Sequence, residues 1–231
     1  MDRSDPRYHA YVQILKEELI PAMGCTEPIA LAYAGAVARR TLGELPDRVT
    51  VQASGSIIKN VKSVIVPNTD HLKGIDAAVS AGIVAGDPDK KLEVIASVTP
   101  EQIQAMKQFM DEVPIEIEHI DKGCTFDIVV IVHHKDEYAK VRIANYHTNI
   151  VLIEKNGEIL EQAKVSGDSE DGLTDRNLLD MEHIWDFAMT VEIDEVKALL
   201  DQQISCNMTI ADEGLKNDYG ANIGKVLLAM D

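Results

Sequence analysis

The chain has 231 residues, of which 45% are hydrophobic and 26% charged, with a formal net charge of −17. That acidity leaves no basic patch to neutralise phosphates, so nucleic acid is excluded as an expected partner and binding to anionic membranes is disfavoured. No apolar run reaches the ~18 residues of a membrane span, the start Met1-Asp2-Arg3-Ser4-Asp5-Pro6 has no apolar signal core, and Cys25, Cys124 and Cys206 lie too far apart for a secreted disulfide framework. A cytoplasmic protein is expected.

In chain order, Tyr8, Tyr11, Val12, Leu15 and Leu19 recur at helical spacing and predict an amphipathic helix to Ile20. Pro21 and Gly24 break it. A second, alanine-rich helix is expected from Pro28 to Leu42, capped by Thr26 and stopped by Gly43 and Pro46. Arg48 to Ala53 alternates as a strand, with Ser56-Ile57-Ile58-Lys59-Asn60 read as the loop at its end. Val64 to Val66 reads as a short strand, Gly74 to Ala85 as a helix, and Leu92 to Val98 as either. Thr99-Pro100-Glu101-Gln102 starts another helix. The middle of the chain is β-rich: strands are expected at 115–120, 126–132, 138–144 and 150–154, with Asn156-Gly157 as a hairpin turn. Ser166 to Gly172 reads as a polar linker or exposed loop, followed by helices at 176–189, 196–215 and 221–230. The expected architecture is an α/β domain over 1–165, of α+β sandwich-like character with a mixed sheet. A partial all-helical segment over 166–231 follows it.

Chemistry-bearing residues gather at element ends. Cys25 precedes a helix N-terminus, whose positive field lowers a thiol pKa and favours thiolate. A small packed residue at a tight turn is the structural alternative. Lys59 and Asn60 offer a cation and an amide suited to a substrate carboxylate, on a loop at a strand end. His147-Thr148-Asn149 lies between two strands, where a histidine can serve as general acid or base. Cys124 and Cys206 read as packed, structural residues. Three isolated cysteines do not make an iron–sulfur site, and zinc spacings, phosphate loops and nucleophile elbows are lacking.

The ordered set Gly24-Cys25-Thr26-Glu27-Pro28, Ser56 to Asn60, Val64 to Asn68, Lys73-Gly74-Ile75 and His147-Thr148-Asn149-Ile150 resembles the iron–sulfur L-cysteine desulfidase and L-serine dehydratase-like family. Asn207 to Leu215 and Tyr219 to Lys225 extend the likeness over nearly the whole chain. Members of that family run to roughly twice this length, with the remaining cluster cysteines in a helical C-terminal half. The resemblance implies a lyase that eliminates across the α,β-carbons of L-cysteine or L-serine to give pyruvate and ammonia, plus sulfide from cysteine. It implies a [4Fe-4S] cluster in the complete enzyme and none on this chain alone. Cys25 would be cluster ligand or base, two alternatives that stay open, and His147 would be the other catalytic residue. Thr26, Glu27, Lys59, Asn60, Thr148 and Asn149 would bind substrate. The implied partners are a small amino acid and a missing helical half or partner subunit, and a homo-oligomer is compatible. A different class of function competes: a cluster-free regulatory module that binds a small molecule or anion. If the site reading holds, Cys25, Lys59, Asn60 and His147 must converge within about 10 Å, since catalytic groups need hydrogen-bond reach of the reacting atoms.

Overall fold

A computed structural model describes residues 1–22, 24–163, 165 and 173–230. In chain order the elements are α1 (Pro6–Glu18), α2 (Thr26–Leu42), β1 (Arg48–Ser54), α3 (Gly55–Val61), α4 (Gly74–Ala85) and α5 (Pro100–Glu112). Five strands follow, β2 (Ile115–Ile120), β3 (Asp127–His134), β4 (Glu137–Ala144), β5 (Ile150–Lys155) and β6 (Glu158–Gln162). The helices α6 (Met181–Thr190), α7 (Ile193–Lys216) and α8 (Ile223–Leu228) close the chain. This is an α+β fold with a mixed sheet and a trailing helical segment. Among the described residues, no helix is long and apolar enough to cross a membrane.

The sheet runs β2-β1-β3-β4-β5-β6, with β1 and β2 parallel and every other pair antiparallel. Register places Val49, Val51 and Ala53 of β1 opposite Val132, Val130 and Ile128 of β3. These in turn face Ala139, Val141 and Ile143 of β4. All nine are buried in one core with α2 and α4. A one-residue slip would turn that whole set to the other face, so the alternation pins the register. Helix α2 is buried from Pro28 through Ala38 because alanines and Gly35 let its backbone approach its neighbours. A Cβ on Gly82 of α4 would sit 1.8 Å from the Ala32 carbonyl oxygen, and one on Gly35 would sit 2.8 Å from that of Val79. Asn156 and Gly157 both take positive φ in the β5–β6 turn, as a two-residue hairpin of right-handed twist requires.

Contacts divide the chain into Ala22–Asp171 and a second unit made of Met1–Pro21 with Gly172–Asp231. This differs from the expected split at 165/166 by one element, α1, which groups with the C-terminal helices. The reason is packing. Tyr8, Tyr11, Val12 and Ile14 share a small core with Phe187 and Val196, and both tyrosine rings meet Phe187 edge-on at 5.5 and 5.3 Å. Tyr11 also donates to the Leu178 carbonyl at 2.6 Å, and Arg176 pairs with Glu17 at 2.6 Å. The expected linker Ser166–Gly172 lies outside the described residues.

Several local readings change. Residues 56–60 are not a loop but lie within α3. Only a single bridge, Ile65 to Lys73, stands where a strand was expected at 64–66. Residues 92–98 form neither helix nor strand of any length; a 3-10 turn covers Pro88–Glu93. The expected helix 176–189 is a short 3-10 turn at Arg176–Leu178 and then α6, restarted by an Asp180 side-chain cap. Cys206 is exposed and Cys124 partly so, against the expectation that both are packed. By contrast, Thr99 and Gln102 form the expected capping box ahead of α5.

The close approach of α2 and α4 makes a sharp expectation. Gly82→Ala should destabilise the fold by about 3 kcal/mol, because the clash is with backbone and neither helix can yield cheaply. Gly214→Ala, in the open last turn of α7 where a Cβ meets nothing within 4 Å, should stabilise by at most about 0.5–1 kcal/mol. Urea unfolding of both variants checks this; equal effects would remove the helix crossing as the cause.

Candidate functional site

The candidate residues sit at one rim of the sheet, where β1 ends, β3 begins and β4 turns into β5. Helix α2 starts there with Cys25 as its N-cap residue, at φ −59° and ψ 121°, and no side chain caps it. Thr26 is therefore not the cap, as its sequence position suggested. It is the first helical residue, and its hydroxyl is 2.8 Å from His147 Nε2. Glu27 next to it accepts twice: from the Cys25 thiol at 3.1 Å on Oε2, and from the Asn60 amide at 3.2 Å on Oε1. The start of the long helix α2, the short helix α3 and one loop thus bring Cys25, Thr26, Glu27, Asn60 and His147 into a single hydrogen-bonded set.

Each arm is held from behind. The start of α3 is anchored by Ser54, whose hydroxyl donates to the Thr125 carbonyl at 2.7 Å. The 145–149 loop turns through Asn145 at φ 71°. The Asn149 side-chain amide closes it on the Ala144 carbonyl at 2.9 Å, so that nitrogen is committed to the turn. The His147 ring stands edge-on to Phe126 at 4.5 Å. Beside it, Asp127 is buried and takes two hydrogen bonds from Arg142 at 2.9 and 2.7 Å, a bidentate pair that ties the start of β3 to β4. Lys59 is exposed and makes no hydrogen bond or ion pair among the described residues; Thr148 is half-buried in the loop.

Electrostatics reverses one expectation. Partial burial of the thiol, and then its hydrogen bond to the Glu27 carboxylate, push the Cys25 pKa up; the Glu27 backbone N–H opposes them. These effects favour the thiol form of Cys25 over the low-pKa thiolate that a helix N-terminus alone would favour, with burial first and the carboxylate at 3.1 Å second. Burial raises Glu27, but the hydrogen bonds from Cys25, its own N–H and Asn60 hold it below the ordinary carboxylate value. Burial lowers His147 below its ordinary 6.5, against the pull of the Glu27 charge.

Phe126, against the His147 ring, and the Asp127–Arg142 pair that ties β3 to β4 were not expected. A charged residue opening an otherwise apolar strand, Phe126-Asp127-Ile128, was the available signal, because a buried carboxylate demands a partner.

No family model matches the chain. Over 99% of its length it is 53% identical to a UPF0597 protein of Desulfitobacterium hafniense and 41% identical to one of Treponema denticola, covering 53% of each. It is 44% identical over 94% of its length to a UPF0597 protein of Fusobacterium nucleatum, covering 51% of it. The chain spans about half the length of the curated relatives it matches. Their shared name states a family and no activity, and nothing in it links the chain to the desulfidase and dehydratase-like enzymes.

The implied [4Fe-4S] cluster does not fit the residues present. Such a cluster takes several cysteine thiolates, and no group of three or more His, Cys, Asp or Glu among the described residues could hold a metal ion. Cys25 has a carboxylate, not a second thiol, as its near neighbour.

Two tests follow from this arrangement. Glu27→Gln removes the negative charge that holds the Cys25 proton, so the iodoacetamide labelling rate of Cys25 near pH 7.5 should rise several-fold, with its pH midpoint shifted downward; an unchanged midpoint would mean Glu27 does not control the thiol. His147 has a folded pKa below its unfolded one, so the stability it contributes is present above about 6.5 and lost as pH falls toward the folded value. Urea midpoints at pH 7.5 and 5.5 should drop further in the parent than in His147→Gln; equal drops would sink the assignment.

Proposed function

We propose that this chain is the amino-acid-binding and proton-handling part of a cytoplasmic lyase. Its reaction would be α,β-elimination on L-cysteine or L-serine to pyruvate and ammonia, with sulfide as well from cysteine. One observation supports it most: Glu27 joins Cys25 and Asn60 while Thr26 joins His147, so residues from three separate elements meet at one point. The motif resemblance supports the reaction class.

The groups suit a zwitterionic substrate. The ionised Glu27 carboxylate matches an α-ammonium, and the untied Lys59 with the Asn60 amide matches an α-carboxylate. His147, kept neutral by burial, is the better acceptor for the α-proton. Cys25, kept protonated, is the better donor to the departing β-substituent. Transfer of the α-proton to His147 and departure of the β-substituent, protonated by Cys25, as water or hydrogen sulfide leaves 2-aminoacrylate, which tautomerises to the imine and takes up water to give pyruvate and ammonia. The described residues do not supply the ligands of the resembling family's cluster, and no step here is assigned to it.

Binding tests the site without the full reaction. L-serine titrated into this chain should shift the His147 imidazole signals in NMR, with D-serine weaker, and Glu27→Gln or Asn60→Ala should abolish the shift. No pyruvate should form from this chain alone. L-serine signals that ignore both variants, or no binding at all, would remove the reading.

A further inference from the structure

The helical unit carries an apolar surface that its own core does not use. Along α7, Ile193, Leu200, Ile204, Met208 and Leu215 recur at four- and seven-residue steps and fall on one face, the spacing of an amphipathic helix. Val196, on the edge of that face, is the α7 residue buried against α1 and α6. Beyond it the stripe lies open: Ile204 is 58% and Met208 55% exposed. Leu215 carries it onto α8, where it lies against Gly224 and leaves Ile223 exposed. Scattered apolar residues on a surface are ordinary, but a continuous stripe over six helical turns marks an interaction site.

We propose that this stripe is the docking surface for the additional half of sequence that the longer relatives carry, an amphipathic helical partner laid along α7. Two facts choose this occupant. The chain matches its relatives over nearly all of its own length but only about half of theirs, so each relative holds as much chain again to be placed. A second copy is disfavoured by charge, because residues 173–230 carry eleven acidic and four basic side chains, within a chain of net −17. Two such faces would repel across the polar rim that flanks the stripe, whereas a partner with a basic rim would be steered to it. The surface lies in the helical unit and is independent of the lyase reading, so binding and pyruvate assays can fail separately.

The test is co-expression of this chain with the unmatched half of the Desulfitobacterium hafniense relative, tagged on that half. Sedimentation of the co-purified material should give a 1:1 complex, with Met208 protected from peroxide oxidation relative to this chain alone. Ile204→Glu and Met208→Glu change exposed positions and should leave folding intact while weakening the complex by at least about tenfold. Cys206→Ser, on the opposite side of α7, should leave it unchanged. A complex indifferent to both glutamates would overturn the proposal. So would two soluble pieces that do not associate, a tagged half that stays insoluble beside this chain, or a homodimer of this chain formed through the stripe.

Discussion

The contact between α2 and α4 is the constraint on which the α+β unit depends. Gly82 rests on the Ala32 backbone and Gly35 on the Val79 carbonyl, at distances that admit no Cβ. Helix α2 also lies against β3 and β4, so a close crossing fixes it between sheet and second helix layer. Its N-terminus then has one position, beside the loop that follows β4. The site at Cys25, Thr26 and Glu27 is built on a helix end that packing, rather than capping, holds in place.

Within that site Glu27 organises the charges. A helix N-terminus by itself would draw the thiol toward thiolate, but burial of the sulfur and then the carboxylate two residues on push its pKa up instead, and the same carboxylate is satisfied by Asn60 from α3. Its field also reaches His147, where burial still wins. Burial, with Glu27 beside it, thus favours the thiol form of Cys25, and burial against Glu27 favours the neutral form of His147, so that a donor and an acceptor are set apart.

The helical unit shows the opposite economy. Among the described residues its core is six buried side chains, Phe187 and the two tyrosines of α1 included, while most of the apolar face of α7 remains in solvent. A helix of that length normally gains its stability by burying such a face. Aromatic packing at one end and an unused stripe at the other describe a unit with a free side.

Local signals in the sequence were sufficient for most elements. Val49, Val51 and Ala53 alternate with polar residues, Asn156-Gly157 allows positive φ twice, and Thr99 with Gln102 closes a cap; each depends only on near neighbours, so each was legible. The motif residues around Cys25, Asn60 and His147 were legible as candidates for the same reason. Their meeting was expected only as a condition of serving one substrate; what brings it about is strand order and the α2–α4 crossing. The upward push on the Cys25 pKa was not legible because its causes, burial of the sulfur and the Glu27 carboxylate set against it, arise only in the folded helix end. The grouping of α1 with the C-terminal helices escaped for a related reason. Periodicity shows that a helix has an apolar face, but only the tertiary structure decides which core that face enters.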